Sequence, residues 1–165
     1  LLEDHLQSPF LHYLVIESGE GVVACGGVDQ RGDMNRADLV YGMVARQLHQ
    51  RGIGTLLVLA RLALIDCSDG DIKVLLMTSE KTEGFYRRFG FQVAEESERV
   101  DHFGGGLYYQ TLEIVLTPER QAEALDCLRR YGQSLVIAYE PLSRANKPLR
   151  GTPAEAPFKP ESRRS

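Results

Sequence analysis

The chain has 165 residues, of which 43% are apolar and 25% are charged, a composition that is typical of one globular domain and excludes a disordered or fibrous protein. Its apolar runs are shorter than the ~20 residues of a transmembrane helix, and its first ten residues lack the basic and apolar segments of a secretory signal. The net charge is −4, and because residues 142–165 carry six Lys/Arg and two Glu, the rest of the chain is acidic. This acidic character argues against a nucleic-acid partner and favours a cationic one, such as an amine.

Three β-rich segments come first along the chain. Residues 12–16 and 21–27 are joined by a short connection that contains Gly, which predicts a hairpin. A polar, turn-like stretch at 29–36 leads into residues 37–45, which are apolar along most of their length. We expect this third segment to be a central strand of a sheet.

A long helix, a strand and a short helix follow. Residues 52–66 place apolar side chains at helical spacing around most of the helix, which predicts a largely buried helix. Residues 72–78 predict a strand. Residues 81–89 predict a short helix that ends at Gly90, the residue type expected at a left-handed cap.

The remaining segments complete an α/β (α+β) pattern with a mixed sheet. Residues 91–94 and 107–116 predict two strands, residues 118–131 a helix and residues 134–139 a further strand. From residue 141 onward, prolines are mixed with charged residues and no periodicity remains, so we expect a poorly ordered basic tail at 141–165.

The cysteines and histidines give no sign of a disulfide framework or a metal site. Cys25, Cys67 and Cys127 are widely spaced and form no CxxC pattern, so a reducing cytoplasm is the expected location and Cys67 is expected to be a partly buried thiol. His5 and His12 lack the spacing of metal ligands, so we expect no metal.

The segment between the predicted central strand and the long helix is the most informative one. It reads His49, Gln50, Arg51, Gly52, Ile53, Gly54, Thr55. Glycines allow a backbone to approach a ligand closely, and the first turn of a helix presents free N–H groups with a partial positive charge, which together suit a pyrophosphate. Neither a P-loop nor a dinucleotide fingerprint fits, because the chain has no Gly-Lys pair and Leu57 stands where a third glycine is needed. The alternative is a plain strand-to-helix turn.

Two motifs in this order resemble the GNAT acetyltransferase superfamily. The acyl-CoA loop of that family has the pattern Gln/Arg-x-x-Gly-x-Gly/Ala, and this chain has His49-x-x-Gly52-x-Gly54. Residues 78–91 are similar to the family's motif B, which closes as FY-x-x-x-GF, with Ser79 where the family often has Asn. The resemblance covers roughly residues 12–116. It implies a mixed, mostly antiparallel sheet with a splayed central strand pair and flanking helices.

The resemblance implies acetyl-CoA as co-substrate, with its pantetheine arm between the splayed strands. The backbone of Met43 and Val44 would pair with this arm, and an N–H there would face the developing oxyanion. The implied cofactor-binding residues are Met43, Val44, His49, Gln50, Arg51, Gly52, Ile53, Gly54, Thr55, Ser79, Thr82 and Tyr86.

The resemblance also implies an acid and a base. Tyr86 stands where many relatives place the tyrosine that protonates the departing thiolate, and a phenol can donate a proton. Asp38 stands on the central strand where histone-modifying relatives carry a glutamate, and its shorter side chain would need a bridging water. Glu83, Asp101 and His102 are rival bases.

These features predict an N-acetyltransferase that acts on a primary amine of a small molecule or peptide. The alternatives are a catalytically weak acyl-CoA-binding module of the same fold and an interaction domain that binds no CoA. We expect a core at 1–116 and a helix–strand extension at 117–140.

The family usually begins with a strand and one or two helices that form the acceptor-side wall. Here only about 11 residues precede the first predicted strand. Either that part is missing from this chain or residues 118–139 replace it. A chain without this wall would expose apolar surface, so a homodimer formed through the C-terminal part is a further hypothesis.

Overall fold

The computed structural model describes residues 8–19, 21–32 and 34–131, and the backbone of 136–141. The predicted basic tail therefore lies, except for Pro141, outside the described residues. Seven strands form one sheet within the described part: β1 (Leu11–Ser18), β2 (Gly21–Gln30), β3 (Arg36–Val44), β4 (Ile72–Ser79), β5 (Gln92–Val93), β6 (Tyr109–Leu116) and β7 (Val136–Pro141).

Three α-helices belong to the same described part: α1 (Ile53–Leu64), α2 (Glu80–Arg87) and α3 (Pro118–Tyr131). A single 3-10 turn at Arg46–Leu48 lies between β3 and α1. Gly90 has a φ of 92°, so it provides the left-handed conformation predicted after α2. None of the described helices is long and apolar enough to span a membrane.

The strand order is β5-β6-β4-β3-β2-β1-β7, which places β3 in the middle of the sheet. Only β3 and β4 pair in parallel, and every other neighbouring pair of described strands is antiparallel. The predicted mixed, mostly antiparallel sheet and its central strand are therefore confirmed. The strand predicted at 91–94 is shorter, because only Gln92 and Val93 pair with β6.

The core lies between one face of the sheet and the helices. Alternate residues of β4 and β6, such as Val74, Leu76 and Leu112, are buried there, as the two-residue period of a strand requires. Helix α1 contacts β2 and β3 on one side and α3 on the other, so every residue from 56 to 62 is buried. Each fully buried Leu or Val contributes roughly 1.5–3 kcal/mol to stability.

The central strand pair separates halfway along its length. β3 and β4 pair only from Arg36 opposite Lys73 to Leu39 opposite Leu76, although both strands continue. Near this point β3 has a bulge against β2, where Tyr41 adopts a φ of 51°. A bulge bends its strand, so β3 turns away from β4. The predicted splay is therefore present.

The C-terminal helix and strand join the same core and the same sheet as the preceding elements. Helix α3 packs on α1, and β7 pairs antiparallel with β1 at the edge of the sheet. Of the strand predicted at 134–139, residues 136–139 lie in β7, and residues 134 and 135 lie outside the described residues.

Candidate active site

An open cleft of about 980 Å³ lies where β3 and β4 separate. It is bounded by β3, β4, α1 as far as Arg61, and one side of α2. Nine of the predicted cofactor-binding residues line it: Val44, His49, Gln50, Gly52, Gly54, Thr55, Ser79, Thr82 and Tyr86. Residues that are far apart in sequence therefore meet at one site.

The N-terminus of α1 presents free amides to this cleft. The first bond of the helix runs from Leu56 N–H to Gly52 O at 3.0 Å, so the N–H groups of Ile53, Gly54 and Thr55 precede it. Gly52 has a φ of 84°, a left-handed conformation that glycine adopts without strain. These amides and the helix dipole form a site suited to an anion.

His49 ties the loop to the end of β3. Its Nε2 donates a hydrogen bond to the carbonyl oxygen of Val44 at 3.1 Å, which requires the tautomer that carries hydrogen on Nε2. The position of the loop relative to β3 thus depends on a side chain that differs from the Gln or Arg of the family pattern.

The backbone of β3 faces the cleft at alternate residues. Ala45 N–H donates to Val23 O at 2.8 Å, so the backbone groups of Ala45 point towards β2. By the alternation of an antiparallel ladder, those of Met43 point towards Cys25, whereas Val44 N–H points away from β2 into the gap. Gly42, two residues before Val44, also lines the cleft and was not among the predicted residues.

Three hydroxyl groups cluster at the start of α2. Thr82 Oγ1 lies 2.6 Å from Thr78 Oγ1 and 3.1 Å from Ser79 Oγ. All three residues line the cleft. They provide several hydrogen-bond donors and acceptors opposite the loop, where the sequence predicted a role for Ser79 and Thr82.

Tyr86 is held on the cleft side of α2 by aromatic neighbours. Its ring makes edge-to-face contacts with Phe85 at 5.0 Å and Phe91 at 6.0 Å between centroids. Arg61 of α1 lines the same cleft. Packing of this kind fixes the direction of the hydroxyl group.

Arg61 is a buried, charged residue of the site that sequence analysis missed. It is only 2% exposed, it lines the cleft, and its Nε donates to Leu57 O at 3.3 Å. Burial lowers the pKa of this guanidinium, and the electrostatic influence of Tyr86 partly opposes that shift. The available signal was a single charge inside a helix that is otherwise apolar all round.

The lining of the cleft is cationic. Arg61, Lys81 and Arg88 contribute to it, and no Asp or Glu does so among the residues that the structure describes. Arg88 lies with its guanidinium 5.0 Å from the centre of the Phe85 ring. The positive charge of the cleft is opposite in sign to the net charge of the chain, and it complements a negatively charged, phosphorylated ligand.

The predicted base Asp38 is not brought to this cleft. It lines a separate surface pocket of about 250 Å³ with Asp29, Arg31, Met34 and Arg36. Both of its carboxylate oxygens accept hydrogen bonds from Arg36, at 3.0 and 2.8 Å. Asp38 lies on the paired half of β3, before the strands separate.

The rival bases have other partners in the structure. Glu83 accepts hydrogen bonds from Arg87, at 2.6 Å, and from Gln110, and the ion pair with Arg87 lowers the pKa of Glu83. Asp101 accepts backbone hydrogen bonds within the loop at 103–106, which lower its pKa. His102 packs against Tyr109, a cleft residue, with 5.7 Å between ring centroids.

Three predicted cofactor-binding residues do not line the cleft: Met43, Arg51 and Ile53. The side chain of Met43 is exposed, and its backbone pairs with β2. Ile53 packs against the core and offers only its amide to the loop site. Sequence spacing located the loop but not the direction of each backbone group.

Within the described residues, no group of three His, Cys, Asp or Glu is placed to hold a metal ion. The three cysteines are free.

Comparisons with known proteins bear on this geometry. Residues 9–93 match the family model of the acetyltransferase (GNAT) domain. A search of curated proteins found no match.

Solved structures with the same fold include three acetyltransferase structures. A protein assigned to the GNAT family from Desulfovibrio desulfuricans has 17% identity and a TM-score of 0.57, over 70% of this chain and 76% of that one. An aminoglycoside 6'-N-acetyltransferase solved with coenzyme A has 14% identity and a TM-score of 0.57, over 70% of this chain and 78% of that one. The ribosomal-protein-S18-alanine N-acetyltransferase from Escherichia coli has 14% identity and a TM-score of 0.56, over 70% and 76%.

Proposed function

The chain belongs to the GNAT acetyltransferase family, whose members use acetyl-CoA as co-substrate, and from this premise we propose that it transfers an acetyl group directly to a primary amine of a small molecule or peptide. The observation that carries the proposal is the cationic cleft between β3 and β4, with free amides at one end and Tyr86 at its wall. Such a cleft suits a long ligand with phosphates at one end and a reactive thioester at the other.

The loop and α1 would bind the pyrophosphate of acetyl-CoA through the amides of Ile53, Gly54 and Thr55. The pantetheine arm would replace the missing β4 pairing along β3 and bond to Val44 N–H. Ser79 and Thr82 would hydrogen-bond the arm from the side of α2. The remaining predicted residues, His49, Gln50, Arg51 and Gly52, shape the loop, and Met43 supports β3 through its pairing with β2.

Transfer requires one bond to form and one to break. The amine nitrogen attacks the thioester carbon, the carbon–sulfur bond breaks, and sulfur leaves as a thiolate that takes a proton from Tyr86. Stabilisation of the oxyanion by an N–H of β3 lowers the barrier. The proton that the amine loses must pass to a base, and the tyrosinate recovers a proton from solvent.

Asp38 remains the proposed base, for an amine that enters from the pocket that it lines. Its two oxygens already accept hydrogen bonds from Arg36, so a bridging water would carry the proton. Because this contact is indirect, we expect Asp38→Asn to slow acetyl transfer less than Tyr86→Phe does.

Tyr86→Phe is the direct test of the proposed reaction. We expect kcat to fall by roughly 10²- to 10⁴-fold, since one proton transfer is lost, while the Kd for acetyl-CoA stays the same. A panel of amines, with release of free thiol as the readout, supplies the acceptor. Tyr131→Phe is the matched control, because Tyr131 is an exposed phenol at the end of α3. Equal rates for Tyr86→Phe and the parent protein would contradict the acid role, and tight binding of acetyl-CoA without turnover would favour the acyl-CoA-binding module.

The proposal also includes a cytoplasmic location and a homodimer. The three free cysteines support a reducing compartment. Exposed apolar side chains on strands, such as Met43 and Val115, support a second copy as partner. A monomeric mass in light scattering at micromolar concentration would contradict the dimer.

A further inference from the structure

The cleft opens onto the face of the sheet that points away from the three described helices. Leu76 of β4 and Leu112 of β6 are buried on the helix side. By the alternation of strand residues, Met77 and Tyr109 therefore point to the opposite face. Both of these side chains line the cleft, and Met77 is 62% exposed. The cleft thus has an entrance on this open face of the sheet.

The proposed base Asp38 lies on the same open face. It pairs with Leu75 across the β3–β4 ladder, and Leu75 lies two residues before Met77, so these three side chains share one face. The other face of the sheet is covered by the core and the helices. An amine that uses Asp38 as its base therefore approaches the cleft from the open face.

Three rings form an aromatic patch where the cleft meets this face: His102, Phe103 and Tyr109. The ring centroids lie 5.7 Å apart for His102 and Tyr109, 5.9 Å for Phe103 and Tyr109, and 6.4 Å for His102 and Phe103. All three contacts are edge-to-face, a geometry that aromatic pairs prefer. Phe103 is 82% exposed, more than any other large apolar side chain that the structure describes. The patch therefore offers an exposed aromatic surface beside the cleft.

Backbone hydrogen bonds hold the loop that presents Phe103. The carboxylate of Asp101 accepts hydrogen bonds from the N–H groups of Phe103, at 3.3 Å, and Gly106, at 2.7 Å. Val100 and Tyr109 exchange two backbone hydrogen bonds, of 3.0 and 2.9 Å, at the base of the loop. The ring is thus kept in solvent by contacts of the backbone, although its burial would be favourable. An exposed apolar surface that adjoins a cleft indicates a place that a ligand covers.

The charges around the cleft disfavour an acceptor with several positive charges. Of the described residues that line the cleft, three are Lys or Arg and none is Asp or Glu. The carboxylate of Asp101, beside the patch, already accepts backbone hydrogen bonds. Several ammonium groups would therefore be repelled at this entrance, whereas a single one is attracted to the faces of aromatic rings. The acceptor that fits has one amino group and an aromatic ring.

We propose that the aromatic patch binds the ring of the acceptor, so that the substrate class is a primary arylalkylamine with a single positive charge. The inference rests on the proposed function. The ring of the amine packs against Phe103 and Tyr109, and its amino group lies over the cleft. Phe103 and Tyr109 are then specificity-determining residues that take no part in the proton transfers.

A comparison of four amines tests the inference, with acetyl-CoA as donor and the release of free thiol as the readout. Two amines carry an aromatic ring, 2-phenylethylamine and tryptamine. Two carry none, butylamine and the polycation spermidine. We expect kcat/KM to be at least about 10-fold higher for the ring-bearing amines than for butylamine, because only they can fill the patch. The kcat/KM for spermidine should be lower than that for butylamine.

Phe103→Ala separates recognition of the ring from the chemical step. We expect it to lower kcat/KM for 2-phenylethylamine roughly 10-fold, through KM rather than kcat, because it removes binding that substrate and transition state share. The same variant should leave kcat/KM for butylamine unchanged. Phe103→Tyr should keep the preference of the parent protein. Tyr131→Ala, which removes an exposed ring on α3, is the matched control and should change neither substrate's kcat/KM.

Equal kcat/KM for 2-phenylethylamine and butylamine in the parent protein, or equal losses for both in Phe103→Ala, would overturn the inference and leave acetyl transfer intact. A preference for spermidine would do the same. No thiol release with either ring-bearing amine would also overturn it, and the wider amine panel then decides the proposed function separately. Because Phe103 is exposed, we expect Phe103→Ala to remain folded, and the unfolding midpoint in urea checks this.

Discussion

Burial controls the chemistry of single residues outside the cleft as well, and Cys67 shows this clearly. The side chain is 4% exposed in the core, and burial together with the nearby Asp66 and Asp71 raises its pKa to about 11. The thiol is therefore protonated and poorly reactive at neutral pH. A catalytic role for Cys67 is not expected.

This raised pKa predicts an alkaline loss of stability. In the unfolded chain the thiol ionises near pH 9.0, whereas in the folded protein it does so near 11. The contribution of Cys67 to stability is therefore complete below about pH 9 and declines as the pH rises towards 11. We expect the free energy of unfolding in urea to fall less over this range in Cys67→Ala than in the parent protein.

Cys127→Ala is the matched control for this measurement, since Cys127 is a half-buried cysteine on α3 that also lacks a disulfide. It should keep the pH dependence of the parent protein. The same slope in Cys67→Ala and the parent would contradict the prediction. Tyr13 also has a raised pKa, from burial and from its contact with Cys25, and both variants retain it.

The residues of the site were predictable to different degrees. Gly52, Gly54 and Tyr86 stand in local motifs that resemble those of the family, and that resemblance indicated them as site residues. Arg61 was not predictable as a site residue, because its approach to Gly42 depends on the bulge in β3. The ion pair of Asp38 with Arg36 is likewise a contact that spacing does not reveal.

At the scale of elements, the start of α1 depends on one glycine conformation. Gly52 has a φ of 84°, and nothing lies within 4 Å of the position that a Cβ atom would take there. A side chain would therefore fit sterically, but the left-handed backbone would cost about 1–2 kcal/mol for any other residue. The loop amides would shift to relieve this strain.

Gly52→Ala should therefore lower the free energy of unfolding by about 1–2 kcal/mol and raise the Kd for acetyl-CoA. Urea unfolding and calorimetric titration measure the two effects. Gly105→Ala is the control, because Gly105 is exposed, has no neighbour within 4 Å and has no positive φ. An unchanged Kd for Gly52→Ala would contradict a role of this loop in binding.

The elements themselves were largely predictable from periodicity. Helix α3 lies at the predicted residues, and β1 to β4 differ from prediction by a few residues at their ends. The bulge at Tyr41 was not predictable, because a tyrosine with positive φ contradicts its own preference and is imposed by the surrounding sheet. The strand preference of its residues predicted where β3 lies in the sequence but not where its bulge bends it.

At the scale of the whole molecule, charge separates the cleft from the rest of the chain. The net charge is −4, yet the described cleft residues include three Lys/Arg and no acidic side chain. This distribution could not be read from the sequence, since Arg61 lies on α1, whereas Lys81 lies on α2 and Arg88 directly follows α2, and these elements meet only after folding. The family and its fold were predictable because two motifs occur in the family's order.

The measurement that tests the account most directly is a titration of the ¹⁵N-labelled protein with acetyl-CoA, followed by amide NMR spectra. The account predicts the largest shifts at the amides of Val44, Ile53, Gly54 and Thr55, with the amides of β7 unchanged. Saturable binding that leaves these four amides unmoved, or no binding at millimolar acetyl-CoA, would contradict it.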